Sequence, residues 1–226
     1  MAYLKRLAMP DFWPLEKKRN VLVVSPLPGP HAKRSCIPLQ VVLRDMLHIA
    51  DSAAEARKIL KQGKVMVDRK VRKEVGFPVG LMDVVEIPDM KKTFRVIPVQ
   101  KGVELAAINA GEAAQKICRI VGKSIVKGGD VQLHMHDGRN VLAGKAEQYK
   151  VGDSVMISLP EQKITKHYKM EKGAHVVVVG GKNRGKKGVI RDIRKRKTML
   201  ETSTVSIKAA ADEIETLLDL VMAGEF

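Results

Sequence analysis

Val131, Leu133 and Met135 alternate with Gln132, His134 and His136, and Asp137-Gly138 follows directly. Successive side chains of a strand point to opposite faces, so this alternation predicts a half-buried strand. An Asp-Gly pair supplies the left-handed backbone of a tight turn, so the chain should return along Asn140 to Ala143 as a hairpin. Gly128-Gly129-Asp130 marks a turn before this pair, and Val155 to Leu159 predicts a further strand. Lys116 to Val126 also reads as a strand, although Ala113 to Ile120 would suit a helix as well. The segment 96–170 is therefore expected to be mainly β.

The preceding segment has a different period. Leu39, Val42, Leu43, Met46 and Leu47 recur at helical spacing. Ser52-Ala53-Ala54-Glu55 forms a capping box, with Ser52 as N-cap and Glu55 three residues on. Ala53, Ala56, Ile59 and Leu60 supply the buried face of that second helix, and Gly63 is its natural stop. Short β segments follow: Lys64 to Val67, a turn at Asp68-Arg69-Lys70, and Val84 to Ile87. Residues 37–95 thus predict a small helix–helix–β-hairpin module.

Residues 1–36 read as an irregular basic arm. Ser25-Pro26-Leu27-Pro28-Gly29-Pro30 cannot continue a helix. Such an arm is expected to have little core of its own, so its ordering is expected to come from a partner. Phe12 and Trp13 are expected to pin it to its own domain rather than to stack on bases. Toward the other end, Val176 to Val179 predicts a strand, Gly180 to Gly188 a basic glycine loop, and Val189-Ile190 with Ile193 a returning strand. Ile214, Leu217, Leu218 and Val221 fit the stripe of an acidic amphipathic helix over 209–222. The fold class expected is α+β and multidomain: arm 1–36, module 37–95, central β domain 96–170, small β-barrel 171–208, acidic helix 209–226.

Charge decides the class of partner. The 226 residues hold 41 Lys+Arg against 25 Asp+Glu, a net charge of +16 and a pI near 9.9. Solubility alone needs only about 2–8 net charges in a small domain, so a polyanionic partner is implied, nucleic acid above all. Residues 171–197 carry 10 basic and 2 acidic groups, half of the whole excess in one short segment. Residues 198–226 carry 1 basic and 6 acidic groups, so the acidic helix is expected to pack on the protein itself.

Enzymatic signatures are weak. Gly180, Gly185 and Lys186 fit a nucleotide-binding glycine loop, but Lys187 stands where Ser or Thr must ligate magnesium, and a strand rather than a helix is expected to follow. The better reading is a cradle of main-chain N–H groups and cations for RNA phosphates. Cys36 and Cys118 lack CxxC spacing and an activating partner, which predicts reduced, inert thiols of a cytosolic chain. His134 and His136 share a strand face with no third ligand at a recognisable spacing, so exposed histidines rather than a metal site are expected. No apolar stretch approaches a membrane span, and no signal peptide or catalytic triad is evident. No cofactor, metal or small-molecule substrate is therefore expected.

Ala54-Glu55-Ala56-Arg57, Gly63-Lys64-Val65-Met66-Val67 and Asp83-Val84-Val85 resemble the RNA-binding domain named after the bacterial small-subunit ribosomal protein four. Gly181 to Gly188 resembles the KOW motif of ribosomal proteins and transcription elongation factors. In order, Leu4-Lys5-Arg6-Leu7 with Trp13, Gly29-Pro30-His31, Pro38-Leu39, Phe77-Pro78-Val79-Gly80-Leu81-Met82-Asp83-Val84 and Gly180-Gly181-Lys182-Asn183 resemble the S-four-e family of archaeal and eukaryotic small-subunit ribosomal proteins over essentially the whole chain. Two positions depart from the pattern: Arg69 stands where the family usually has glycine, and Lys187 where the motif usually has an apolar residue.

The resemblance implies a non-catalytic, cytoplasmic constituent of the small subunit, with small-subunit ribosomal RNA and neighbouring ribosomal proteins as partners and no membrane. The RNA-contacting residues expected are Lys5, Arg6, Lys17, Lys18, Arg19, His31, Lys33 and Arg34 in the arm. In the helical module they are Arg57, Lys58, Lys61, Lys64, Arg69, Lys70, Arg72 and Lys73. At the glycine loop and beyond they are Lys182, Asn183, Arg184, Lys186, Lys187, Arg191, Arg194, Lys195, Arg196 and Lys197. An RNA-modifying enzyme and a transcription elongation factor using the same modules are the alternatives.

Overall fold

The computed structural model describes residues 3–109, 111–144, 148–196, 198, 200–209 and 213–225. They divide into two compact units. The first contains residues 1–97, 101–116 and 159–161, and the second contains 98–100, 117–158 and 162–226.

In the first unit the arm begins with β1 (Tyr3–Lys5), which pairs antiparallel with β2 (Leu22–Val24). β3 (Ile37–Pro38) leads into α1 (Leu39–Val41), continued by a wide turn over Val42–Met46 in which Leu47 N–H reaches the Val42 carbonyl. α2 (Ala53–Lys61) starts as its sequence directs. Ser52 Oγ accepts the Glu55 N–H at 3.1 Å, and Glu55 Oε2 accepts the Asp51 N–H at 3.0 Å. Ala56 and Leu60 are its buried face, and Gly63 turns away at φ +75°. Ser52→Ala removes one of these two caps and should lower stability by about 1 kcal/mol, read from the shift in thermal midpoint.

β4 (Met66–Val67), β5 (Lys70–Val71), β6 (Pro78–Val79), β7 (Val84–Ile87), β8 (Lys92–Val99, whose last two residues count with the second unit) and β9 (Gly102–Ala107) complete this unit. Their main sheet has the order β5-β4-β7-β8-β9, while β3 pairs with β6. The β4–β5 turn places both Asp68 (φ +50°) and Arg69 (φ +63°) in the left-handed region. Arg69 thus adopts the conformation that glycine would take without strain.

The arm is irregular outside its two short strands, as expected, but it is not coreless. Met9, Trp13 and Val23 belong to the same core as Leu39, Leu43, Leu60, Val65 and Val85, and Trp13 Nε1 donates to the Cys36 carbonyl at 2.9 Å. Trp13 is therefore an internal anchor, as expected, and the arm does not depend on a partner for its packing.

The second unit holds two five-stranded sheets. β10 (Gln115–Ile125), β11 (Val131–Met135), β12 (Asn140–Ala143), β13 (Ser154–Ser158) and β14 (Ile164–Tyr168) take the order β12-β11-β10-β13-β14. The helical option over 113–120 reduces to one tight turn, Glu112–Ala114, ahead of β10. Val131, Leu133 and Met135 are buried, and the hairpin turns with Gly138 at φ +74°.

β15 (His175–Val178), β16 (Lys187–Arg194), β17 (Thr204–Lys208), β18 (Glu213–Leu217) and β19 (Val221–Ala223) form the second sheet, ordered β18-β17-β16-β15-β19. The helix expected over 209–222 is absent. Its residues 210–212 lie outside the described ones, and the rest form β18, a tight turn over Leu218–Leu220, and β19. Ile214 is buried while Glu213 and Glu215 face outward, a period of two that the helical spacing of Ile214, Leu217, Leu218 and Val221 conceals. Pairing with β17, from Lys208↔Glu213 to Thr204↔Leu217, satisfies the backbone.

Candidate nucleic-acid interface

In the first unit the cations of α2 divide by burial. Lys58 and Lys61 are exposed and Arg57 is half-buried. Beyond Gly63, Lys70 and Lys73 are exposed, and Arg72 lies over the Phe77 ring with its guanidinium carbon 4.4 Å from the centroid. That stacking fixes the Arg72 fork without neutralising it. Lys64 pairs with Asp89 at 2.9 Å and Arg69 with Glu86 at 3.1 Å. In the arm, Lys5, Lys18, Arg19, Lys33 and Arg34 are exposed, and Lys17 is paired with Asp11.

Two arm residues are buried, against expectation. Arg6 is 4% exposed and donates from Nη1 to the Glu16 carbonyl at 3.0 Å. It lines a concavity of about 520 Å³ in which Arg19 and Arg44 are balanced by Glu16, Asp45 and Asp51. His31 is 6% exposed and lies 3.0 Å from both carboxylate oxygens of Asp83. Neither is a surface group for phosphate. Sequence reasoning counted them by residue type, which carries no information about burial.

His31 belongs to a buried charge network that the sequence did not announce. Lys116 Nζ lies 2.9 Å from Asp68 Oδ2 and 2.5 Å from Asp83 Oδ1, with its side chain fully buried. Asp83 also accepts the Gly80 N–H at 2.8 Å, and Asp68 accepts the Val84 N–H at 3.0 Å. Burial alone would push the Asp83 carboxyl up. Lys116, His31 and the Gly80 N–H together outweigh burial and hold it well below the ordinary carboxylate range. Gly80 is required here, because a Cβ on it would lie 2.3 Å from the His31 ring.

In the second unit the glycine loop runs from β15 into β16. Gly181 (φ +78°) and Gly185 (φ +81°) hold left-handed backbone, and a Cβ on Gly185 would meet the Val99 backbone at 2.8 Å. Lys182 and Lys187 are exposed, while Asn183, Arg184 and Lys186 are half-buried. A strand follows, not a helix, so the loop lacks the helix N-terminus that nucleotide-hydrolysing glycine loops use. Farther along β16, the acidic strand β18 neutralises two expected contacts: Arg191 bonds both oxygens of Glu213 at 2.8 Å, and Arg194 lies 3.7 Å from Glu215. Lys195 and Arg196 are exposed, and Lys197 lies outside the described residues.

The histidines differ from expectation in being half-buried and bonded. His134 contacts Ser124 Oγ at 2.9 Å and Asn140 Oδ1 at 2.7 Å. His136 stands with Cys118 and Asp137, the three offering ligand atoms within 4.8 Å of one another. Each of the three is already bonded within the protein. His136 Nδ1 accepts the Arg119 N–H at 3.1 Å, and Asp137 Oδ2 takes the Arg139 guanidinium at 3.0 Å and the Cys118 thiol at 3.5 Å. A metal on the other imidazole nitrogen would require a proton on Nδ1, facing that N–H. The group therefore anchors the hairpin to β10. Burial, with Asp83 nearby, pushes the Cys36 thiol up to about 11, so it is no nucleophile at neutral pH. Among the described residues, no helix is long and apolar enough to cross a membrane.

Comparison with known proteins covers almost the entire chain. An "RS4NT (NUC023) domain" matches residues 3–34, an "S4 domain" residues 37–85, and "Ribosomal family S4e" residues 90–164. The small ribosomal subunit protein eS4 of Methanothermobacter thermautotrophicus is 41% identical over 97% of this chain and 90% of its own length. That of Methanocaldococcus jannaschii is 44% identical over 86% of this chain and 82% of its own. The crystal structure of the 30S ribosomal protein S4e from Thermoplasma acidophilum superposes with a TM-score of 0.73 at 29% identity, covering 84% of this chain and 94% of that one. The arm, the helical module and the central strands each match in the order expected of one such protein, and the chain belongs to the S4e family of ribosomal proteins.

Proposed function

We propose that this protein is a non-catalytic structural constituent of the small ribosomal subunit, in the cytoplasm, that binds ribosomal RNA and abuts neighbouring ribosomal proteins. The observation that carries this reading is 41% identity over 97% of the chain to a small ribosomal subunit protein. The +16 charge and the exposed cations of each unit support it.

In the first unit the contacts are Lys58, Lys61, Lys70, Arg72 and Lys73, with Lys5, Lys18, Arg19, Lys33 and Arg34 from the arm. In the second they are Lys182, Asn183, Arg184, Lys186, Lys187, Lys195 and Arg196. The segment 171–208 acts as a KOW-type element whose loop side chains meet phosphates, while the Arg184, Gly185 and Lys186 N–H groups bond the Gly181, Val178 and Asn183 carbonyls and hold the loop's shape. Such contacts read the shape and backbone of folded RNA rather than its sequence. The functional division we adopt keeps the arm 1–36, the module 37–95 and the central domain 96–170, and joins 171–208 to β18 and β19, which complete its sheet.

The test is sedimentation of native extract through sucrose gradients in low and high salt, probing for this protein. Comigration with the small subunit that survives high salt is the expected result. Release at moderate salt, or comigration with RNA polymerase, would sink the proposal.

A further inference from the structure

Aromatic side chains are scarce in this sequence: one Trp, three Tyr and four Phe. One of them, Tyr149, lines a cavity of about 350 Å³ in the second unit, within the size range of small-ligand clefts. Its ring lies 4.8 Å from that of His167, centroid to centroid, with the planes 55° apart. His167 is held in place from behind, since its Nε2 bonds Asp153 Oδ2 at 2.8 Å. Asp153 is 4% exposed and also accepts the N–H groups of Lys150 (3.1 Å) and Met170 (3.0 Å). Its charge is thereby spent on fixing the wall of the cavity. The exposed cations Lys150 and Lys169 and the exposed amide of Gln148 also line it. The carboxylate of Glu171 sits at the same mouth and disfavours phosphate on its side.

These pieces match the chemistry of one extruded nucleotide. A half-buried aromatic face stacks on a base of any identity, an amide reads a base edge, and lysines meet the flanking phosphates. Tyr149 and Gln148 also line a second concavity, with Leu142 and Ile164 among its walls.

We propose that the Tyr149–His167 cavity captures a single unstacked nucleotide of the bound RNA. It would give the central sheet a grip on loops or bulges that the phosphate-contacting lysines do not provide. The proposal rests on the reading of this chain as an RNA-binding protein.

The test uses the full-length protein with two labelled probes, a single-stranded oligouridylate and an RNA duplex of the same length. Tyr149→Ala should weaken binding of the single strand about tenfold and change duplex binding less than twofold, because only the single strand offers a free base face. Tyr149→Phe should retain the wild-type affinity for both. Equal losses on the two probes, or no loss on either, would overturn the capture site. Failure of the wild type to bind either probe would overturn the RNA-binding reading itself. Ultraviolet crosslinking of the wild type to the oligouridylate, followed by peptide mass spectrometry, decides the matter even if the alanine variant misfolds. Uridine adducts on the peptides containing Tyr149 or His167 are expected, and adducts confined to other peptides would overturn the proposal.

Discussion

Replacing Lys116 with methionine is expected to lower the stability of the first unit by about 3–5 kcal/mol, the cost of breaking a buried ion pair from one side. The methionine fills much of the same volume, so the loss comes from charge rather than from a cavity. Without the ammonium, Asp68 and Asp83 remain buried with His31 and the Gly80 and Val84 N–H groups among their partners but without the cation that both carboxylates face. Total stabilities of about 5–15 kcal/mol make this a large fraction of what holds a domain folded. Urea unfolding followed by Trp13 fluorescence is the suitable measurement, because Trp13 is the only tryptophan and is buried in this unit's core. A loss below about 1 kcal/mol would show that the network contributes little. Adding Asp68→Asn to Lys116→Met should recover part of the loss, since one of the two stranded charges is then gone.

The same network sets an acid limit. The folded-state Asp83 carboxyl lies below its unfolded value, near 3.9, so its contribution is fully present above that value. The contribution disappears as the pH falls from there through the lower, folded value. An acid titration of Trp13 fluorescence should therefore show this contribution lost only below the ordinary carboxylate range, and Lys116→Met should move the acid transition to higher pH.

The second large effect concerns RNA. Neutralising Lys182, Arg184 and Lys186 together should weaken binding of every RNA tested and flatten the dependence of log K on log salt by about 2–3, near 0.7–0.9 for each phosphate that no longer meets a cation. Because the slope and the affinity fall together, the loss is greatest at low salt. The glycines are retained in this variant, so the close approach of Gly185 to Val99 is undisturbed. A matched variant neutralising Arg191 and Arg194 should change the slope far less, since Glu213 and Glu215 already balance those two charges. Filter binding over a salt series separates the outcomes, and equal effects of the two variants would contradict the distinction drawn between loop and strand.

Much of the local structure was legible in the sequence. The alternation from Val131 to Met135 and the Asp137-Gly138 turn gave the hairpin, and Ser52 with Glu55 marked the start of α2. These signals act over a few residues and depend little on the rest of the chain. The acidic strand was misread because Ile214, Leu217, Leu218 and Val221 satisfy a helical period by coincidence. What decided the matter was pairing with β17, together with Arg191 and Arg194 lying two strands away. The basic site residues were legible as a class but not one by one. Arg6 and His31 look like their exposed neighbours in sequence, and only tertiary packing buries them. Lys116 opens a strand whose next residues are apolar, and nothing local tells that its partners are Asp68 and Asp83.

The order β18-β17-β16-β15-β19 has a consequence for synthesis of the chain. β15 supplies Val176, Val177 and Val178 to the core, and its free edge is closed only by β19, from Val176↔Ala223 to Val178↔Val221. Until residue 223 has left the exit tunnel, a run of valines therefore presents an unpaired edge, the kind of template on which strands of other chains assemble. A nascent chain stalled before that point would be sticky at this edge, and so would a product cleaved upstream of Val221. Completing β19 thus seals this edge of the sheet only on chains translated past residue 223.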